Sequence, residues 1–159
     1  MPDPALHRIA ARRPILAVSS SGGHWSQLLL LREAFAGHDV TYACTLAGVG
    51  AAHGLTDVRL IADCNRATPL ALLRLARQAL SLLARVRPQA IVSTGALPGL
   101  VFIVLGWVFD IRTVWVESMA NSEALSMSGR WASMLAHECL VQWPVLAEAG
   151  RTRYAGSVL

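Results

Sequence analysis

The sequence contains no lysine, few charged residues and no metal-binding cysteine pattern. All 14 basic residues are arginines, and Asp, Glu, Lys and Arg together make up 15% of the 159 residues. No basic run interleaved with aromatics is present, and no zinc-finger, homeodomain or RNP pattern fits, which argues against a nucleic-acid partner. The formal charge of +4 also suits anionic lipids or phosphorylated ligands, so it does not decide among partners.

Cysteines are scarce as well. Cys44, Cys64 and Cys139 are far apart, with no CxxC spacing, and we expect reduced, buried thiols in the cytoplasm. No cluster of His, Cys and Asp residues has ligand spacing, so we predict no metal site.

Long apolar runs are also missing. Residues 1–13 carry three arginines without an apolar segment long enough for secretion, and they are predicted to form a basic lead-in. The most apolar stretch, 97–109, is shorter than the ~20 residues that span a bilayer. Because it also contains Pro98 and Gly106, we predict a buried helix.

Apolar residues nevertheless make up 54% of the chain, enough for a full core. Their spacing predicts alternating strands and helices. The predicted strands are 15–19, 39–45, 58–62, 90–93, 113–116 and 139–142; the helices are 24–36, 68–87, 97–109 and 126–137, with a further turn at 144–149. This alternation predicts an α/β fold over residues 14–159: one Rossmann-like parallel sheet with helices on both faces.

Ligands of such sheets bind beyond the carboxyl ends of the strands. Four polar or glycine-rich clusters follow predicted strands, at 20–24, 93–99, 117–122 and 142–144. We therefore expect a site at this edge.

The first cluster lies in SSSGGHWSQLL, residues 19–29. It lacks the Gly-Lys-Ser/Thr of a Walker A loop and the complete G-x-G-x-x-G of a dinucleotide site. Ser21, Gly22 and Gly23 remain as a turn whose N–H groups face an anion at a helix start. His24 in the first helical turn is placed to contact a ligand, or to hydrogen-bond the loop that it ends.

Glu117 follows the apolar stretch TVWV at the end of a predicted strand. A carboxylate there is placed to act as a base or to bind a substrate hydroxyl. A salt bridge to Arg112 or Arg130 is the alternative, and the sequence leaves both open.

The predicted helix 68–87 carries Arg74, Arg77 and Arg85 on one side, with leucines over most of the rest. Such a helix either packs on the core with its arginines in water or lies at a membrane surface, with the arginines on anionic headgroups. We expect peripheral attachment to a membrane.

Taken in order, five stretches resemble a known family: SSGGHWSQLLLL, VSTGALPGL, TVWVESMA, VQWPVLAE and YAGSVL. They are similar to the N-terminal-half subunits of two-part bacterial glycosyltransferases of exopolysaccharide and capsule synthesis (the PssD type). They also resemble the membrane-recruiting subunit of the eukaryotic transferase that adds the second GlcNAc to dolichol-diphosphate-GlcNAc. The resemblance covers residues 14–159.

The resemblance implies the acceptor-side half of a GT-B glycosyltransferase, located peripherally on the cytoplasmic face of the inner membrane. A separate donor-binding chain would hold most of the UDP-sugar, and the acceptor would be a polyprenyl-diphosphate-linked glycan. No cofactor is implied. The alternatives are a non-catalytic scaffold that recruits the donor-binding subunit, and a small nucleotide-binding protein that acts alone.

The resemblance also assigns residues to roles. Gly22, Gly23 and His24 match the first glycine-rich loop; Thr94, Gly95 and Gly99 match the second, which helps to hold the acceptor diphosphate; Glu117, Ser118 and Asn121 match the polar loop that follows. His24 and Glu117 are the candidate bases, with His24 ranked first, and metal is not required. The eukaryotic relatives carry an apolar N-terminal anchor that residues 1–14 do not match, so attachment is expected through helix 68–87, segment 97–109 or a partner.

Overall fold

The structure is a computed structural model that describes residues 12–158. Residues 1–11 of the predicted lead-in and Leu159 lie outside the described residues. Arg12 and Arg13, which complete the predicted lead-in, are exposed and directly precede the first strand.

One parallel sheet of seven strands organises the described chain. Its strands are β1 (Pro14–Ser19), β2 (Asp39–Cys44), β3 (Val58–Leu60), β4 (Ala90–Ser93), β5 (Arg112–Val116), β6 (Glu138–Val141) and β7 (Arg153–Tyr154). The α-helices are α1 (Gly23–Leu30), α2 (Pro69–Val86), α3 (Ala96–Val108) and α4 (Met127–Leu135). The spatial order is β3-β2-β1-β4-β5-β6-β7, so the chain switches direction of travel across the sheet after β3.

Alternating side chains of the central strand β1 meet two helix layers. Leu16 and Val18 pack with Leu75 of α2 and Phe102 of α3 on one face of the sheet. Ile15 and Ala17 point to the opposite face, where they pack with Trp25 and Leu28 of α1. Since β1 is buried on both faces, it reads as a continuous apolar run, as expected for a central parallel strand.

The two helix layers are unequal. Helix α1 lies on one face of the sheet, and α2 and α3 cover the other. Helix α4 joins the second layer, because Ala132 packs with Ile103 of α3 and with Trp115 of β5. The predicted α/β sheet with helices on both faces is confirmed.

Two local predictions were wrong. The predicted helix 24–36 ends as an α-helix at Leu30, and a separate 3₁₀ turn follows at Arg32–Phe35. The sequence pattern does not show this break, because Leu28 and Phe35 both face the same core cluster. The last strand, β7, was missed: it is two residues long and exposed, so it carries no apolar pattern.

The start of α2 was placed correctly, but the threonine in its N-cap position does not cap the helix with its side chain. Thr68 is the N-cap residue and Pro69 follows it, yet the Thr68 side chain caps no N–H of the helix. Thr68 Oγ1 instead accepts a hydrogen bond from Asn65 N at 2.9 Å. The threonine therefore closes the turn that leads into the helix.

Candidate functional site

The first and second predicted loops meet through a pair of reciprocal hydrogen bonds. The Nδ1 atom of His24 lies 2.9 Å from the carbonyl oxygen of Thr94, and Thr94 Oγ1 donates to the carbonyl oxygen of His24 at 2.7 Å. A carbonyl only accepts, so Nδ1 carries the hydrogen. In the neutral ring, Nε2 then holds the free lone pair, which is the arrangement that a proton acceptor needs.

A glycine makes this close approach possible. A Cβ on Gly95 would collide with the imidazole ring of His24, and Gly95 has a φ of +145°, which side chains rarely adopt. The next residue, Ala96, also has a positive φ of 63° as α3 begins. The backbone of the second loop is therefore shaped around His24.

The N-termini of helices α1 and α3 lie next to each other in the structure. Gly22 is the N-cap of α1 and Gly95 is the N-cap of α3, and neither helix has a side-chain cap. The His24–Thr94 hydrogen bonds join the two helix starts. Uncapped N–H groups and the positive end of the helix dipole attract anions, so this pair of termini suits a diphosphate.

Glu117 lies at the end of β5 with its carboxylate enclosed, at 1% exposure. Its Oε2 accepts from Trp115 Nε1 at 2.7 Å. Its Oε1 accepts from Asn121 Nδ2 at 2.5 Å and from Ser126 N at 3.0 Å, at the start of α4. These neutral donors replace the salt bridge considered from the sequence, because Arg112 instead lies 3.8 Å from Glu138.

Two glutamines connect the loops across the carboxyl edge of the sheet. Gln27 on α1 donates to Ser118 Oγ at 3.2 Å and accepts from Met119 N at 3.4 Å. Gln142, at the end of β6, donates to Gln27 Oε1 at 3.2 Å and to the carbonyl oxygen of Glu117 at 2.9 Å. Helix α1 and the loops after β5 and β6 thus share one hydrogen-bond network.

The structure places the predicted polar residues along this edge but gives them different surroundings. Gly22 and Gly23 are exposed with open space around them, and Ser21 N donates to Thr45 Oγ1 at 3.0 Å. Ser118 is buried within the network, whereas Gly99 is buried because α3 packs closely on Ser93 there. The residues nearest to open space are therefore those of the first loop.

Gln27 was missed by sequence reasoning, and Gln142 was seen only as part of a polar cluster. Gln27 lies in a leucine-rich helix, where a glutamine is expected on the exposed side, so the sequence does not indicate that it has a special role. Gln142 could have been singled out, because it lies between a predicted strand and the Trp-Pro pair at 143–144. A buried amide in such a position needs hydrogen-bond partners.

The three arginines predicted to share a face of α2 are all exposed. Arg77 and Arg85 line an open groove of about 890 Å³ beside strands β1, β2 and β3, together with Arg59. Arg74 lies about one turn before Arg77 and about three turns before Arg85 on the same helix. Within residues 12–158, none of the three predicted arginines forms an ion pair, whereas Arg59 pairs with Asp57 at 2.8 Å.

Large apolar side chains are exposed on the helix layer formed by α2, α3 and α4. We call this set the apolar face; it comprises Leu73, Leu80, Trp107, Val108, Phe109, Trp131 and Met134, each more than 40% exposed. Leu80 and Phe109 line one shallow groove of about 370 Å³, and Trp131 lines another next to Arg66. Exposed apolar surface of this extent, rimmed by arginines, is typical of a membrane or protein contact.

The predicted thiols are free and buried. Burial raises the pKa of Cys44 and Cys64, and it raises the pKa of Cys139 to about 12, with the Glu117 charge adding to the rise. Among the described residues, no three His, Cys, Asp or Glu side chains lie close enough together to hold a metal ion. No helix within residues 12–158 has the length and apolarity that crossing a membrane requires.

The sheet order and the position of the site define the fold class. The structure is similar to MurG from Acinetobacter baumannii, with a TM-score of 0.71 and 13% identity over 88% of this chain and 45% of that one. It is also similar to UDP-GlcNAc 2-epimerase from Methanocaldococcus jannaschii, with a TM-score of 0.68 and 9% identity over 90% of this chain and 45% of that one. The fold is therefore that of the N-terminal half of GT-B enzymes, and the chain spans less than half the length of these structures.

Sequence comparison narrows this class to a family. A family described as "Oligosaccharide biosynthesis protein Alg14 like" matches residues 53–158. The chain is 33% identical over 182 aligned positions to the UDP-N-acetylglucosamine transferase subunit ALG14 of Eremothecium gossypii, covering 92% of this chain and 80% of the relative. The chain belongs to the Alg14-like family, and the resemblance predicted from its motifs is confirmed.

Proposed function

We propose that this chain is the acceptor-side subunit of a two-part glycosyltransferase. The complex would transfer a sugar from a UDP-sugar to a polyprenyl-diphosphate-linked acceptor in lipid-linked oligosaccharide, exopolysaccharide or capsule synthesis. Because the relative is named as a UDP-N-acetylglucosamine transferase subunit, UDP-N-acetylglucosamine is the first donor to test. The observation that carries the proposal is His24, held with Nε2 free beside two uncapped helix N-termini.

In this mechanism, His24 is the general base. Its Nε2 takes the proton from the acceptor hydroxyl, and the oxygen attacks the anomeric carbon of the donor sugar as the bond to UDP breaks. The donor-binding partner chain holds most of the UDP-sugar and faces the same edge of the sheet. The Thr94 carbonyl stabilises the protonated imidazole that forms, because it accepts the Nδ1 hydrogen throughout.

Glu117 was the second candidate base. Both carboxylate oxygens already accept hydrogen bonds from Trp115, Asn121 and Ser126, and the side chain is enclosed. We therefore assign Glu117 the task of shaping the loop after β5, which carries Ser118 and Asn121. Proton transfer falls to His24.

The acceptor diphosphate is proposed to bind where α1 and α3 begin. Gly22 and Gly23 leave the backbone of the first loop open, and the buried Gly95 lets the His24 ring lie against the start of α3. The N–H groups of both helix starts then face the phosphate oxygens without metal. Thr94 is buried and Gly99 packs closely on Ser93, and both hold the second loop in its conformation.

Peripheral attachment to the cytoplasmic face of the inner membrane completes the proposal. The apolar face would dip into the headgroup and acyl boundary, and Arg74, Arg77 and Arg85 would meet anionic headgroups. This arrangement is supported by the exposure of Trp107, Phe109 and Trp131 on one helix layer. A lipid-linked acceptor would then reach the site from the same surface.

The test is transfer by the chain co-expressed with its donor-binding partner, using UDP-N-acetylglucosamine and membrane-extracted lipid acceptor. We expect His24→Ala to lower transfer by about 100- to 10,000-fold, leaving a measurable residual rate, while partner binding persists. His53→Ala is the matched control, because His53 is exposed on the loop between β2 and β3. Full activity of His24→Ala would refute the base, and an inactive wild-type complex that still assembles on membranes would favour the scaffold alternative. Tight UDP binding by the isolated chain would instead favour a nucleotide-binding protein that acts alone.

A further inference from the structure

The segment that follows β7 is connected to the helix that carries His24. The backbone N–H of Val158 donates to Gln142 Oε1 at 3.0 Å. The amide nitrogen of Gln142 donates in turn to Gln27 Oε1 at 3.2 Å. Gln27 lies on α1 three residues after His24, so both side chains project from the same side of the helix.

Every polar atom of the Gln142 side chain is used. Its two N–H groups are shared between Gln27 and the carbonyl of Glu117, and its oxygen accepts from Val158. The residue is 5% exposed, so water cannot replace a lost partner without rearrangement. Moving any one partner therefore disturbs the other two.

Helix α1 depends on such contacts for its position. It has only eight residues and no side-chain N-cap, so it gains little stability of its own. Trp25 and Leu28 anchor the side of the helix that faces the sheet. The polar side is held by His24 on the loop after β4 and by Gln27 on the loops after β5 and β6.

We infer that Gln142 is a positioning residue through which the segment after β7 sets the placement of α1 and hence of the His24 imidazole. Neither glutamine touches the reacting atoms in this scheme, and both act through His24. The inference rests on the proposed function for its catalytic consequence. Its structural part is the link from Val158 through Gln142 to Gln27, which stands on hydrogen bonds, and the position of Gln27 three residues after His24 on α1.

Val158→Pro tests the link because proline has no N–H to donate; it also fixes φ at this position and restricts the backbone of Ser157. Val158→Ala, which keeps the N–H, is the matched control. We expect the His24 ring signals in an NMR spectrum of the labelled complex to shift in Val158→Pro and to stay in place in Val158→Ala. Unchanged ring signals in both variants would overturn the link, whether or not the complex transfers sugar.

Gln142→Met tests the catalytic consequence. Because misplacement of a catalytic group by about 1 Å can cost about 100-fold, we expect kcat to fall about 10- to 100-fold with a smaller change in the acceptor KM. In a His24→Ala background the same substitution should cause almost no further loss, since it acts through the missing imidazole. A loss of equal size in both backgrounds would show a general folding effect and overturn the assignment. Gln89→Met, at an exposed glutamine before β4, is the control for the substitution itself.

Failure of this inference and failure of the proposed function give different results. If the wild-type complex shows no transfer, the proposed function fails, and the NMR comparison still decides the link. If the wild type transfers sugar while Gln142→Met keeps its kcat, the positioning role is wrong and the proposed function stands.

Discussion

His24 and Thr94 are tied to each other twice, although 70 residues separate them in the chain. The imidazole donates to the Thr94 carbonyl at 2.9 Å, and the Thr94 hydroxyl donates to the His24 carbonyl at 2.7 Å. This pair fixes both the tautomer of the ring and the distance between the first two loops. The glycine that follows Thr94 is what allows the ring to lie there.

Gly95→Ala should therefore displace His24. The new methyl group would occupy the space of the imidazole, and the backbone at φ +145° would be strained. We expect transfer to fall about 10- to 100-fold and the free energy of unfolding to fall by about 1–3 kcal/mol. Activity of the complex and urea unfolding of the chain provide the two measurements.

Gly37→Ala is the control for backbone strain. Gly37 has a φ of +85°, but an added Cβ would meet no neighbouring atom. It should lose stability without losing transfer. If both variants lose activity equally, the contact with His24 is not the cause.

Glu117→Gln should destabilise the loop after β5. The amide keeps one acceptor oxygen where the carboxylate offers two to Trp115, Asn121 and Ser126. At least one buried donor is left unpaired, so we expect a loss of about 1–3 kcal/mol in the free energy of unfolding. Chemical denaturation measures it.

The same substitution at Glu123 is the matched control, because that carboxylate is exposed in the same loop. We expect a change of less than about 0.5 kcal/mol there. Wild-type stability in Glu117→Gln would show that the carboxylate does not organise the loop, and its assignment as a base would regain weight.

The double variant Arg74→Glu/Arg77→Glu should weaken binding to anionic vesicles. It lowers the formal charge by four units on the exposed side of α2, so attraction to the headgroups is reduced. Sedimentation with phosphatidylglycerol vesicles at low and high salt is the measurement. We expect a fall of about tenfold or more, since each arginine near an anionic surface contributes about 1 kcal/mol.

Arg32→Glu/Arg153→Glu makes the same change in charge away from α2. Arg32 follows α1 on the opposite face of the sheet, and Arg153 lies on the exposed strand β7. This control should keep most of its vesicle binding. Equal losses in the two double variants would show that net charge, and not the α2 surface, governs attachment.

We expect Cys139 to lower the free energy of unfolding of the chain at alkaline pH. Its pKa is raised to about 12 in the folded chain, from an ordinary value of 9.0, mainly by burial. Between these values the unfolded chain has lost a proton that the folded chain retains, so stability falls as pH rises across this window. For this one group the slope is at most about 1.4 kcal/mol per pH unit. Cys139→Ala should unfold with a shallower pH dependence above pH 9 in urea titrations, and an identical slope would refute the contribution.

Much of the fold was predictable because the elements carry their own apolar patterns. The strand at Ala90–Ser93 was predicted with its observed bounds, and α2 and α3 to within one residue at each end. The break after Leu30 and the two-residue strand β7 were not, since tertiary contacts and not local preference decide them. The same holds for the candidate site. Its loops were predictable, because the carboxyl ends of parallel strands all lie at one edge of the sheet.

The sequence by itself determined the order of strands and helices, the edge at which the polar loops gather and the family to which they are similar. Only the tertiary structure decided which hydrogen-bond partners each polar residue has there. Glu117 reads as a catalytic carboxylate in the chain, yet folding surrounds it with Trp115, Asn121 and the start of α4. Gln27 and Gln142 are 115 residues apart in the sequence, and they form a hydrogen bond only in the folded chain. Hydrogen bonds between distant loops depend on packing in three dimensions, and no local pattern of residues records them.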